Sequence, residues 1–130
     1  MITTSATFRM KNTRPHQILS QFIQLIDEHL ADLIHHRATD MQEIENFAEL
    51  MHIHPTHLSN TIKEVSGTSA CGIYQTKIIE TAKQLLADPS LTIRDIAFTL
   101  TFDPSQFTKW FKRLAGTTPK QYRAGLAMKA

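Results

Sequence analysis

The chain is 130 residues long, 42% hydrophobic, with 14 basic and 12 acidic side chains and a formal net charge of +2. That much apolar material suits one compact domain or two very small ones and excludes a disordered chain. No apolar run nears the roughly 20 residues needed to span a bilayer. The first ten residues also lack a secretory apolar segment. With a lone cysteine, Cys71, no internal disulfide can form, so a reducing cytoplasm and no membrane contact are expected.

Residues 1–14 show no periodicity, carry Arg9, Lys11 and Arg14, and read as a flexible N-terminal arm ahead of a structured stretch over 15–130. Pro15 suits a first helical position. From there Ile18, Leu19, Phe22, Ile23, Leu25, Ile26, Leu30, Leu33 and Ile34 predict a long amphipathic helix. Asp40 followed by Glu43 reads as a capping box opening a second helix, with Ile44, Phe47, Ala48 and Met51 inward. A third helix follows a tight turn, with Leu58, Ile62 and Val65 inside and Gly67 ending it. Ile73, Ile78, Ile79, Ala82, Leu85 and Leu86 mark a fourth helix over about 71–87, stopped by Asp88-Pro89. Thr92 and Asp95 cap a fifth, Asp103 with Pro104 starts a sixth, and Thr118-Pro119 starts a closing helix. No stretch alternates with period two, so the chain reads as all-α. Cys71 reads as a small buried or half-buried residue.

The sixth helix carries the sharpest pattern. Phe107, Trp110, Phe111 and Leu114 recur at i, i+3, i+4, i+7 and form one apolar stripe. Ser105, Thr108, Lys109 and Lys112 fall on the other side, which carries no acid and suits a major groove, where short polar groups reach base edges and ammonium groups meet phosphates. The same pattern occurs earlier. Without gaps, Pro55 through Thr68 aligns with Pro104 through Thr117, and upstream Ile44, Phe47, Ala48 and Met51 align with Ile93, Ile96, Ala97 and Leu100. This internal repeat predicts two helix-turn-helix units, over about 40–68 and 92–116.

Charge is unevenly spread. Between His16 and His54 seven acids (Asp27, Glu28, Asp32, Asp40, Glu43, Glu45, Glu49) face one base, Arg37. From Pro89 onward seven bases (Arg94, Lys109, Lys112, Arg113, Lys120, Arg123, Lys129) outnumber Asp95 and Asp103. The second repeat is therefore the expected electrostatic anchor for a polyanion.

Leu58-Ser59 with Lys63 and Gly67, Ala82-Lys83 with Leu85-Leu86, Ile93-Arg94-Asp95-Ile96-Ala97, and Phe107 through Pro119 ending in Tyr122-Arg123 together resemble the DNA-binding domain of the AraC/XylS transcriptional regulators. The resemblance covers about residues 17–123. It implies seven helices in two helix-turn-helix subdomains joined by a long connecting helix, with both recognition helices entering successive major-groove segments of double-stranded DNA. Carried over by position, base contacts would come from Thr56, Ser59 and Asn60 in the first head and from Ser105, Gln106 and Lys109 in the second. Lys63, Lys112 and Arg113 would hold phosphates. The resemblance further implies transcription regulation, more often activation, with RNA polymerase as a partner. No cofactor is implied, and a monomer or weak dimer is. Larger members add a sensing or dimerisation domain, for which this chain has no room, so it looks like a stand-alone DNA-binding member. Three features depart from the family pattern: His52 and Thr101 stand where turn glycines are common, the second turn looks one residue shorter than usual, and Ile78 replaces a frequent arginine.

Other chemistries find less support. His52, His54 and His57 straddle a turn, and no cysteine or carboxylate completes a set, so no metal is expected. The acid pairs Asp27-Glu28 and Glu43/Glu45 lie on outer helix faces, and neither a nucleophile–histidine arrangement nor a glycine-rich phosphate loop occurs, so no enzyme is expected. A helical protein-interaction module without DNA binding, favoured by the acidic residues 27–49, and a histidine-based metal-responsive regulator are the alternatives.

Overall fold

The computed structural model describes residues 13–129, so residues 1–12 of the expected arm lie outside the described residues. The described residues form seven α-helices and no strand: α1 (Arg14–Ile34), α2 (Ile44–Leu50), α3 (Pro55–Ser66), α4 (Ala70–Leu86), α5 (Ile93–Thr99), α6 (Pro104–Ala115) and α7 (Pro119–Lys129). None of these helices is long and apolar enough to cross a membrane. The described residues divide into two compact units, with breaks inside α1, between Met41 and Gln42, and inside α4. One holds residues up to Glu28 and Gln42–Tyr74; the other holds His29–Met41 and residues from Gln75 onward.

In the first unit Ile18, Phe22 and Ile26 of α1 are fully buried, as are Phe47 and Ala48 of α2 and Leu58 and Ile62 of α3. Phe47 is the hub. Its ring meets Phe22 edge-on at 5.9 Å between centroids and Tyr74 edge-on at 5.2 Å, the arrangement that ring quadrupoles favour. Tyr74, buried on the first turns of α4, donates its hydroxyl to the Gln42 carbonyl at 2.8 Å. Burial pushes its phenol well above the usual range, so it stays a neutral donor.

The second unit is built on aromatic rings. Phe102, Phe107, Trp110 and Phe111 form a continuous cluster with centroid spacings of 4.8 to 6.0 Å, and Phe111 meets Tyr122 of α7 at 5.7 Å. The buried Trp110 indole donates to Gln75 Oε1 at 2.6 Å, so its N–H is not stranded. Arg123 closes the C-terminus of α4: its Nε donates to the Leu86 carbonyl at 2.9 Å and its Nη2 to the Asp88 carbonyl at 3.2 Å. The Leu86 carbonyl is one that a helix end leaves without an internal partner, and the Asp88 carbonyl, in the turn beyond, also accepts the Leu91 N–H at 3.2 Å.

Four expectations need correction. The cap of α2 is Glu43, not Asp40: Asn46 Oδ1 accepts the Glu43 N–H at 2.7 Å, so the reciprocal residue sits one turn later than the sequence suggests. Leu114 does not finish the stripe of α6. It is 43% exposed in the last turn before Gly116, and its counterpart Val65 is only half-buried, so the core gives out at the same point in both repeats. Thr108 does not present a free hydroxyl: it is half-buried and donates to the Pro104 carbonyl at 3.1 Å. Cys71 is exposed, because α4 turns Ala70, Tyr74 and Ile78 inward and places Cys71 about 100° away from Ala70.

Candidate nucleic-acid interface

Helices α3 and α6 are each aimed by a short turn, and the two turns make matching hydrogen bonds. After α2, His52 N–H donates to the Glu49 carbonyl at 3.0 Å and Ile53 N–H to Ala48 at 3.1 Å. After α5, Thr101 N–H donates to Phe98 at 3.0 Å and Phe102 N–H to Ala97 at 2.8 Å. His52 (φ 58°) and Thr101 (φ 67°) are left-handed, the conformation for which glycine is the usual choice. Within this chain the second turn is thus no shorter than the first. The fully buried Ala48 and Ala97 stand at the same step of the two units, where a larger side chain would push turn and helix apart.

Both α3 and α6 begin with Pro at the first position and end at a left-handed glycine, Gly67 (φ 77°) or Gly116 (φ 86°). Their N-caps differ. His54 Nδ1 accepts the Thr56 N–H at 3.1 Å. Asp103 Oδ2 accepts the Ser105 hydroxyl at 2.6 Å, the Ser105 N–H at 3.1 Å and, at a longer 3.4 Å, the Gln106 N–H. The Ser105 hydroxyl is the main reason the Asp103 carboxyl sits below its ordinary value, with the backbone N–H bonds adding to it.

On the outer side of α3, Thr56, Ser59, Asn60 and Lys63 are all exposed. Thr56, Ser59 and Lys63 come together along one open groove of about 520 Å³, with Pro55, Ile44 and the start of α4; Asn60 lies apart from that groove. Lys63 Nζ also donates to the Gly67 carbonyl at 3.2 Å, where a cation complements the helix end. On α6, Ser105, Gln106, Lys109, Lys112 and Arg113 are all exposed. The register of the repeat exposes one candidate that sequence reasoning missed. His57 is exposed on α3 at the position aligned with Gln106, and the gapless alignment itself was the signal. His54, by contrast, is occupied in capping α3. Among the described residues, no three His, Cys, Asp or Glu side chains gather where they could hold a metal ion.

The profile of a helix-turn-helix domain family matches residues 47–125, which spans the whole constellation from α2 to α7. The chain belongs to the AraC-type helix-turn-helix family. It is 31% identical over 99 residues to YtdP, a helix-turn-helix-type transcriptional regulator of Bacillus subtilis, covering 75% of this chain and 13% of that protein. To the arabinose operon regulatory protein of Escherichia coli it is 28% identical over 103 residues, covering 78% of this chain and 33% of that protein. The chain therefore spans well under half the length of these two relatives. Among solved structures, the C-terminal domain of AraT, a response regulator from Geobacillus stearothermophilus, superposes with a TM-score of 0.72 at 29% identity, covering 87% of this chain and 88% of that one. An AraC-type DNA-binding domain protein from Chromobacterium violaceum shares the fold with a TM-score of 0.72 at 20% identity, covering 88% and 96%. The family's seven-helix, two-unit architecture is thus present in this chain.

Proposed function

We propose that the chain is the DNA-reading part of a transcriptional regulator, binding specific double-stranded sites through α3 and α6 in successive major-groove segments. The observation that carries this reading is duplication. Two helices, each seated by the same left-handed turn, expose short polar side chains near their N-termini and cations further along. Direct readout of base edges needs the first kind of group and phosphate neutralisation needs the second. Thr56, His57, Ser59 and Asn60 on α3 and Ser105, Gln106 and Lys109 on α6 are the proposed base readers; Lys63, Lys112 and Arg113 are the proposed phosphate contacts. A single chain with two non-identical heads suits an asymmetric site, bound as a monomer or weak dimer in the cytoplasm. Activation through contact with RNA polymerase completes the proposal and rests on family membership.

The test is selection of bound duplexes from a random library, followed by affinity measured across salt concentrations. A single enriched asymmetric site, with affinity falling steeply as salt rises, is the expected result. No enriched sequence, or affinity indifferent to salt, overturns the proposal.

A further inference from the structure

The two N-caps do different things to the side chain two residues on. A serine hydroxyl has one proton to give and two lone pairs to offer. The Ser105 proton is already given: its oxygen lies 2.6 Å from Asp103 Oδ2, the length typical of a hydroxyl donating to an ionised carboxylate. A carboxylate only accepts, so the direction of this bond is not in question. The same carboxylate oxygen is held by the Ser105 and Gln106 N–H groups, which ties cap, hydroxyl and first helical turn into one unit. At the aligned position of the first head, the His54 ring accepts only the Thr56 N–H. Among the described residues no group holds the Thr56 hydroxyl, which remains able to rotate and serve as donor or acceptor.

We infer that Asp103 fixes the hydrogen-bond sense of Ser105, so that Ser105 meets DNA as an acceptor only and α6 favours an exocyclic amine at the base it faces. In the major groove those amines are adenine N6 and cytosine N4, whereas guanine O6 and thymine O4 are acceptors that a proton-committed hydroxyl does not satisfy. Asp103 is then a positioning residue for base choice as well as a helix cap. The same logic leaves Thr56 tolerant of amine and keto edges alike. The inference rests on the DNA-binding reading above and adds a base class at one position. Held below its ordinary value, the Asp103 carboxyl is ionised at neutral pH and can only accept.

The full chain and three variants, each checked for native helicity, are put through the same duplex selection. For the unaltered chain, one position of the enriched site carries A or C on the contacted strand. Ser105→Ala loses that preference by roughly 2- to 10-fold, the worth of one hydrogen bond. Asp103→Gly, which keeps an acceptable N-cap residue, releases the hydroxyl and admits G and T at that position. His54→Asp transplants the anionic cap and brings an amine preference to the base facing Thr56. The inference is overturned if the Ser105-dependent position prefers G or T, if Ser105→Ala changes no base preference, or if Asp103→Gly leaves the preference intact. In all three cases an enriched site still upholds DNA binding. No enriched site at all overturns both.

Discussion

The two helix-turn-helix units share a backbone and almost nothing that fills or decorates it. Turn hydrogen bonds match pair by pair, each recognition helix starts at proline and stops at a left-handed glycine, and a buried alanine marks the close approach in both. Inside, the first unit buries Leu58, Thr61 and Ile62 where the second buries Phe107, Trp110 and Phe111. Outside, Lys63 and Glu64 of α3 align with Lys112 and Arg113 of α6, so an acid stands opposite a base at the same step. The comparison teaches that a handful of backbone-determining positions set the pose of a reading helix. Core volume and surface charge vary freely around them, provided each unit closes its own core.

That comparison can be broken first in the cores. Phe111→Ala removes a fully buried ring that touches Phe107 and Tyr122, and should lower unfolding free energy by about 3–5 kcal/mol in a urea titration followed by Trp110 fluorescence. The counterpart Ile62→Ala should cost about 2–5 kcal/mol. Losses larger for Ile62→Ala than for Phe111→Ala would mean that the aromatic cluster is not the better-packed core. On DNA, Asn60→Ala should relax base preference at one end of the selected site, by about 1–3 kcal/mol between right and wrong bases. Lys109→Ala, its aligned counterpart, should weaken binding to the selected site and relax base preference at its other end. A Lys109 variant that weakens all sequences alike, with a shallower salt dependence, would move this lysine from base edge to phosphate.

The turns give a finer contrast. Histidine tolerates left-handed backbone better than a β-branched residue does, so Thr101→Gly should raise stability by roughly 1 kcal/mol, and His52→Gly by less. Equal gains in thermal melts would show that the Thr101 turn carries no extra strain. The smallest effect is with pH. His29 is buried in the second unit, 6% exposed, and burial lowers its ring below the ordinary histidine value of 6.5, Asp32 offsetting this in part. A lowered folded-state value means that the unfolded chain binds the proton more readily. Stability is then fully present above about 6.5 and declines as pH falls below it. A melting temperature that drops on acidification from pH 7 to 5.5, with a shallower drop in His29→Gln, is the expected outcome; identical pH profiles would count against it.

Much of this was legible in the sequence because helices advertise themselves locally. Periodicity marks the seven elements, Pro55, Pro104, Gly67 and Gly116 mark the ends of α3 and α6, and the gapless repeat carries the duplication. His52 and Thr101, which depart from the family pattern where turn glycines are common, take the left-handed conformation all the same. The misreadings were of another kind. Asp40 was a plausible cap, but several polar residues precede Ile44, and only the actual chain path selects Glu43. Residue type places Cys71 and Leu114 inside, whereas exposure depends on where the neighbouring elements end.

By itself the sequence determined the helical periods, the caps encoded by proline, glycine and aspartate, and the repeat that ties the chain to its family, since each depends on residues close along the chain. Only the tertiary structure decided that Tyr74 reaches Gln42, that Trp110 is satisfied by Gln75 and that Arg123 closes α4. It also decided which hydroxyls are free: Thr108 and Ser105 both look available in one dimension, yet one bonds to the backbone and the other to a carboxylate. The physical reason is range. Local pattern constrains dihedral angles, but a buried polar group finds its partner only after distant segments have packed.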